Sequence, residues 1–265
     1  IFLLEAMIGE SISNHYPTRE APSHENLLKV ENITTANGVN NVSFTINKGE
    51  VFGLGGMMGS GRTEIARALF GVDQLIDGQI SMNGRVVTIN SPAQAIKNGI
   101  AFVTENRKSD GLFMNFEAPK NITIASLKKI IKYNVLQLDA EKNASRDYID
   151  KFKVHATAME KSVKFLSGGN QQKVVIARWL FSDADLFILD EPTQGIDVAA
   201  KSEIYKLIND LTALGKSVLL ISSDFEELLP MSDRIGIVRF GNIVSIVNAD
   251  EVDSVSIIKK PAIVS

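Results

Sequence analysis

Glu50-Val51-Phe52-Gly53-Leu54-Gly55-Gly56-Met57-Met58-Gly59-Ser60-Gly61-Arg62-Thr63 is the stretch that decides how this chain folds. It begins apolar, as a buried strand does, breaks into glycines, and passes into residues of helical composition up to Phe70. Gly56 and Gly61 stand five apart and are followed by a cation and a hydroxyl. That is the spacing of a phosphate-binding loop, with Arg62 in place of the usual lysine. Glycines let main-chain N–H groups turn inward around phosphate oxygens, and the helix that follows adds its positive end. Gly56, Gly59, Ser60, Gly61, Arg62, Thr63 and Glu64 are the candidate phosphate contacts, with Thr63 supplying a hydroxyl for Mg2+. Taken alone, the loop is also compatible with a glycine-rich turn that binds nothing.

Outward from this loop the chain alternates. Upstream, Leu28, Val30 and Ile33, then Val42, Phe44 and Ile46, form short strand-like runs bounded by Asn and Gly. Downstream, Asp77-Gly78 and Asn83-Gly84 mark turns between short strands, and Ser91-Pro92 opens a helix. Ile100 to Val103 is a buried strand, and residues 106–180 are rich in helix formers and charge. Leu186 to Leu189 and Ser217 to Ile221 read as strands, Val198 to Leu214 and Asp224 to Leu229 as helices. Ile235 to Val238 and Ile243 to Val247 close the pattern as a strand pair around Phe240-Gly241. The alternation predicts an α/β fold with a largely parallel sheet covered on both faces.

Composition narrows the function classes. Across 265 residues, 28 basic against 31 acidic side chains leave a net charge of −3, which argues against a nucleic-acid binder held by a basic surface. The absence of cysteine excludes a disulfide framework, a thiolate metal site and a cysteine nucleophile. No apolar run approaches the roughly 18 residues of a spanning helix, so a membrane role is expected to come through a partner. Ile1-Phe2-Leu3-Leu4 meets Glu5 at once and has no basic flank, unlike a signal peptide. Residues 1–10 read as the end of a helix closing on Gly9. The stretch from Ser11 to Glu25, with His15, Pro17, Pro22 and His24, reads as linker. A start at Ile1 fits a piece of a longer polypeptide.

Two more elements carry chemistry. Leu186-Phe187-Ile188-Leu189-Asp190-Glu191 is an apolar strand ending in two acids. Asp190 is placed to hold Mg2+ through water and Glu191 to polarise an attacking water. Leu166-Ser167-Gly168-Gly169-Asn170-Gln171-Gln172 precedes a helix running to about Leu180, and a serine with two glycines at a helix start forms a second anion site.

This last segment resembles the signature motif of the ATP-binding cassette (ABC) family. The three elements also stand in that family's order, with Asp190-Glu191-Pro192-Thr193 and Gly195-Ile196-Asp197 added. The resemblance covers Leu27 to Val247. It implies a P-loop NTPase cassette with a RecA-like parallel-sheet core, an antiparallel β subdomain (about 27–100) and a helical subdomain (about 106–180). The ATP-binding domain would span 27–248, after the tail of a preceding cassette and a linker (1–26) and before a C-terminal tail (249–265). ATP and Mg2+ are the implied cofactors. The resemblance assigns Thr63, Glu105 and Asp190 to the metal, Glu191 and Ser223 to catalysis, and Ser167, Gly168, Gly169 and Gln171 to nucleotide held by a partner cassette.

The run Thr104-Glu105-Asn106-Arg107-Lys108-Ser109-Asp110-Gly111-Leu112 is similar to a segment of the second cassette of bacterial monosaccharide importers, as are Arg62 and Met231-Ser232-Asp233-Arg234. The implied partners are a first cassette on the same polypeptide, an integral membrane permease and, indirectly, a periplasmic or lipoprotein sugar-binding protein, at the cytoplasmic face of the cell membrane and with no nucleic acid. Departures from the family pattern are specific. Arg62 replaces lysine, Ser223 stands where histidine is usual, and Glu105 is nearest to a missing glutamine. Asn106 replaces aspartate, and no aromatic lies between Asn32 and Val42 to stack on adenine. They predict a degenerate hydrolytic site beside an intact donor surface, Ser167 to Gln172. A nucleotide-responsive module without turnover is the alternative. An unrelated phosphate-loop GTPase or kinase is disfavoured by the signature and by the lack of an Asn-Lys-x-Asp motif.

Remaining features read as structural. Trp179 sits among Ile176, Ala177 and Leu180, as a core residue would, and Lys128, Lys129 and Lys132 make a solvated face. His155 reads as surface, and Met57 and Met58 either pack against the loop or touch a partner.

Overall fold

The computed structural model describes residues 21–251. The sequence readings for residues 1–20 and 252–265 lie outside the described residues. Alternating apolar residues in β1 (Asn26–Thr35) and β2 (Val42–Asn47) bury Leu28, Val30, Ile33, Val42, Phe44 and Ile46. The chain then enters β3 (Val51–Gly55), followed by β4 (Leu75–Met82) and β5 (Arg85–Val87). An antiparallel sheet of four strands forms in the order β2-β1-β4-β5. This is the antiparallel β subdomain.

The second sheet adds β6 (Ile100–Val103), β9 (Leu186–Asp190), β10 (Ser217–Ser222), β11 (Arg234–Arg239) and β12 (Asn242–Asn248), numbering that leaves β7 (Ile131–Lys132) and β8 (Val135–Leu136) for a separate hairpin. Its order is β12-β11-β3-β10-β9-β6. All neighbours are parallel except the β11–β12 pair. Every residue of β3, β6, β9 and β10 is buried, as expected where helices cover both faces of a parallel sheet. The predicted strands agree with these to within about one or two residues at most ends.

The helices are α1 (Arg62–Leu69), α2 (Pro92–Lys97), α3 (Ala118–Thr123), α4 (Leu138–Lys151), α5 (Gly168–Phe181), α6 (Val198–Ala213) and α7 (Phe225–Met231). The starts of α2, α5, α6 and α7 carry a capping side chain. Ser91 Oγ accepts from Gln94 N at 3.4 Å, Asp197 Oδ1 from Ala200 N at 2.9 Å, and Asp224 Oδ1 from Glu226 N at 2.9 Å.

The helical subdomain is less uniform than its composition predicts. Besides α3, α4 and the start of α5 it holds the β7–β8 hairpin, turned by Tyr133 and Asn134 with φ of 52° and 60°. Two-residue strands are too short to show a period in sequence. A buried polar node holds the subdomain together. Arg178 donates from Nε to Asn121 O (2.7 Å) and from Nη2 to Asn121 Oδ1 (3.0 Å), while Asn121 also bonds both main-chain groups of Phe113 (2.9 and 3.1 Å). Burial pushes the Arg178 pKa down to about 10, which still leaves it charged near neutrality. Trp179 is buried edge-on against Phe70 at 5.8 Å, and Phe70 meets Phe102 at 5.5 Å, so Trp179 joins α5 to the central core. Lys128 and Lys132 are exposed, but Lys129 donates to Phe181 O at 2.6 Å and helps terminate α5. His155 is exposed, with Nδ1 2.9 Å from Thr157 Oγ1.

Candidate functional site

The glycine loop leaves the C-terminal end of β3 and feeds α1. Gly59 and Gly61 take φ of 75° and 107°, where a side chain is strained. A Cβ at Gly61 would lie 2.6 Å from Gly241 Cα, and one at Gly56 would lie 2.6 Å from Val238 O. The glycines therefore let the loop seat against the turn between β11 and β12. Gly241 N donates to Ser60 O at 2.7 Å, and Asn40 N donates to Gly241 O at 2.9 Å. Met57 and Met58 are 80% and 91% exposed, so they do not pack against the loop. With Phe225 and Phe240 they edge a cleft of about 400 Å³.

The two acids of β9 reach this loop because β9 lies two strands from β3 and parallel to it. Thr63 Oγ1 donates to Asp190 Oδ2 at 2.8 Å. Asp190 is 1% exposed, and its Oδ1 is shut off from solvent without a hydrogen-bond partner. Burial pushes its carboxyl up to about 6, with the nearby Glu105 and Glu191 charges adding and the Thr63 hydroxyl and Arg62 opposing. Glu105 itself is exposed. Glu64 lies in the first turn of α1, where an acid is favoured by the helix dipole.

Glu191 stands in left-handed backbone, φ 46°, with its N–H on Ile221 O at 2.9 Å. Its Oε1 accepts from Arg62 Nη1 at 3.1 Å and from Ser223 N at 2.7 Å. The main chain of Ser223, not its hydroxyl, thus bonds the Glu191 carboxylate. A neighbouring buried carboxylate, Glu227, escapes the sequence reading. It accepts from Thr193 Oγ1 at 2.8 Å and Ser222 Oγ at 2.9 Å, tying the loop after β9 to the end of β10. Burial raises its pKa, against those hydroxyl bonds. The only sequence signal was an acid at an apolar position of a short helix.

The signature segment begins α5. Ser167 Oγ accepts from Asn170 N (3.4 Å) and Nδ2 (3.0 Å), capping the helix as its sequence predicts. Ser167 is exposed, Gly168 half-buried and Gly169 buried, and a Cβ at Gly169 would lie 2.9 Å from Ala200 Cβ on α6. Gln171, assigned to nucleotide contact by the resemblance, lies inside the fold. It is 3% exposed, and its Nε2 donates to Val163 O at 3.1 Å, so one helical step beyond Asn170 already points inward. Arg107, also missed, donates from Nη1 to Gln194 O at 3.0 Å and from Nη2 to Gly195 O at 3.5 Å.

Among the described residues no three His, Cys, Asp or Glu side chains converge as a metal cage. Thr63 and the unpartnered Asp190 Oδ1 fit a magnesium ion that takes its other ligands from phosphate and water. No described helix is long and apolar enough to cross a membrane.

Residues 39–194 match the family model described as ABC transporter. The chain is 44% identical over 249 residues to the ribose import ATP-binding protein RbsA of Lactococcus lactis subsp. cremoris, covering 94% of this chain and 50% of that protein. It is 43% identical over 255 residues to the RbsA protein of Bacillus cereus, covering 96% and 51%. The chain spans about half the length of these curated relatives. Among solved structures, a nucleotide-free ATP-binding cassette from an ABC transporter superposes with a TM-score of 0.77 at 20% identity, covering 89% of this chain and 96% of that one. The ADP conformation of another such cassette gives 0.75 at 20% identity, covering 89% and 99%. At that identity the superpositions establish the cassette fold.

Proposed function

This chain belongs to the ABC transporter family, and we propose that it is an ATP-binding domain of a monosaccharide importer, the second cassette of a two-cassette polypeptide. The observation that carries the nucleotide reading is the meeting of Thr63 and Asp190 at 2.8 Å beside a glycine loop, across 127 positions of sequence. The sugar reading is supported by relatives named for ribose import, and the two-cassette reading by a chain that spans half of them.

Thr63 and Asp190 hold magnesium in this proposal, and the loop from Gly56 to Gly61 receives the phosphates. Magnesium, when bound, neutralises charge on the β- and γ-phosphates. Arg62 turns from Glu191 to the phosphates, where a guanidinium binds in two-pronged fashion. Glu191 orients the attacking water. Ser223 offers a neutral hydroxyl and a main-chain N–H where an imidazole is usual in the family. Removing one preorganised donor typically costs about 10²–10³ in rate, and such losses combine with partial non-additivity. Slow turnover at this site follows, while Ser167, Gly168 and Asn170 complete the partner cassette's site. A permease and a sugar-binding protein are the further partners, placing the chain at the cytoplasmic face of the membrane.

The test compares two variants of the full-length protein. Glu191→Gln should lower steady-state ATPase modestly, and Ser167→Arg should remove most of it. If Glu191→Gln is the more damaging, this cassette hydrolyses in its own right. The Arg62–Glu191 ion pair favours the second reading, a nucleotide-responsive module without turnover. Binding of Mg-ATP with ATPase unaffected by either variant would select it.

A further inference from the structure

We propose that Arg107 is a positioning residue that passes the filling of the phosphate site to the signature helix. The inference rests on the nucleotide reading above. Arg107 begins a single wide helical turn, Arg107–Gly111, two residues after Glu105, whose charge acts on Asp190. Its side chain leaves that segment and spans two others. Nη1 and Nη2 bond the main-chain carbonyls of Gln194 and Gly195, in the loop that follows Asp190-Glu191. The same Nη2 lies 2.8 Å from where a Cβ at Gly168 would stand, so the guanidinium reaches the first turn of α5. Nε is closed off from solvent with no partner. Burial lowers the pKa of this group.

A planar fork with fixed prongs suits this place, because it ties two carbonyls at once and transmits a shift in either direction. A lysine reaches one carbonyl at a time. Three segments, after β6, after β9 and before α5, the first two 87 and 88 positions apart at their contacts, therefore move as one body around Arg107. A cation drawing Glu105 and Asp190 together would pull the Arg107 turn, and with it Gly168 and Ser167.

Hydrogen exchange of the protein with and without Mg-ADP tests this. Mg-ADP fills the phosphate site without offering a third phosphate to a second cassette. In the wild type, Mg-ADP should slow exchange both at 56–63 and at 166–172. In Arg107→Ala the slowing at 56–63 should persist, and the response at 166–172 should vanish. Basal exchange at 166–172 and 193–197 should rise about tenfold, the loss of roughly 1.4 kcal/mol of hydrogen bonding. Arg107→Lys should give an intermediate response with an unchanged Mg-ADP affinity, which separates positioning from misfolding. A wild-type response confined to 56–63, or an Arg107→Lys response equal to wild type at 166–172, overturns the inference. No slowing at 56–63 in the wild type overturns the nucleotide reading instead.

Discussion

Arg62 and Glu191, 129 positions apart, form an ion pair of 3.1 Å with side chains only 9% and 13% exposed. The cation of the phosphate loop thus rests on the carboxylate proposed to orient water. Phosphate must compete with that carboxylate for the guanidinium.

Breaking the pair should therefore tighten nucleotide binding. Glu191→Gln is expected to lower the Kd for Mg-ATP about fivefold, equivalent to about 1 kcal/mol for a partly buried pair. In an Arg62→Ala background the same change should gain less. Titration calorimetry on the four proteins checks this. Equal gains in both backgrounds would mean that Glu191 acts only by repelling phosphate.

Asp190 gives a pH signature. Its carboxyl is held up at about 6 by burial, against about 4 in an unfolded chain. The folded state binds this proton more tightly, so the group's contribution to stability is complete below pH 4 and is lost as pH rises through 6. Without metal, Asp190→Asn should raise Tm by about 3–6 °C at pH 7.5, for roughly 1.5 kcal/mol relieved at about 2–4 °C each. At pH 4 the two proteins should melt together. An Asn variant that is less stable at pH 7.5 would show that the charge is already compensated.

Mg-ATP should stabilise the chain through the loop's main-chain donors even with Arg62 in place of lysine. At about 100 times Kd, linkage supplies roughly 2.7 kcal/mol. For a domain of this size that is a melting shift of about 5–10 °C. Differential scanning fluorimetry at millimolar Mg-ATP checks it, and no shift would refute specific binding.

The helical subdomain should depend on one amide. Asn121→Ala leaves the Arg178 Nε bond to the main-chain carbonyl of residue 121 but removes the partner of Arg178 Nη2 and of both main-chain groups of Phe113, at a cost of about 3 kcal/mol. A fall in Tm of about 6–12 °C is expected. Arg178→Met in the same background should recover part of it, because the buried charge that has lost its Nη2 partner is gone. Failure of that rescue would assign the loss to the Phe113 loop alone.

The parallel core, the glycine turn before α1, the strand ending in two acids and the serine cap of α5 are legible in the sequence. Each is local: β3, β6, β9 and β10 are short apolar runs, and Gly56 to Thr63 and Ser167 to Gly169 are fixed spacings whose chemistry lies in consecutive main-chain groups. Where side chains meet is set by the fold. Strand order β3-β10-β9 brings Thr63 to Asp190 and Arg62 to Glu191. Helix packing turns Gln171 inward and leaves Ser167 out. Arg107 reads in sequence as one more charge in a charged segment, yet it lies beneath Gly168 on the carbonyls of Gln194 and Gly195. Spacing along a chain records neighbours within a turn or a strand. The face a residue presents to segments 60 to 130 positions away is set by how helices pack on the sheet, and that energy belongs to the assembled core.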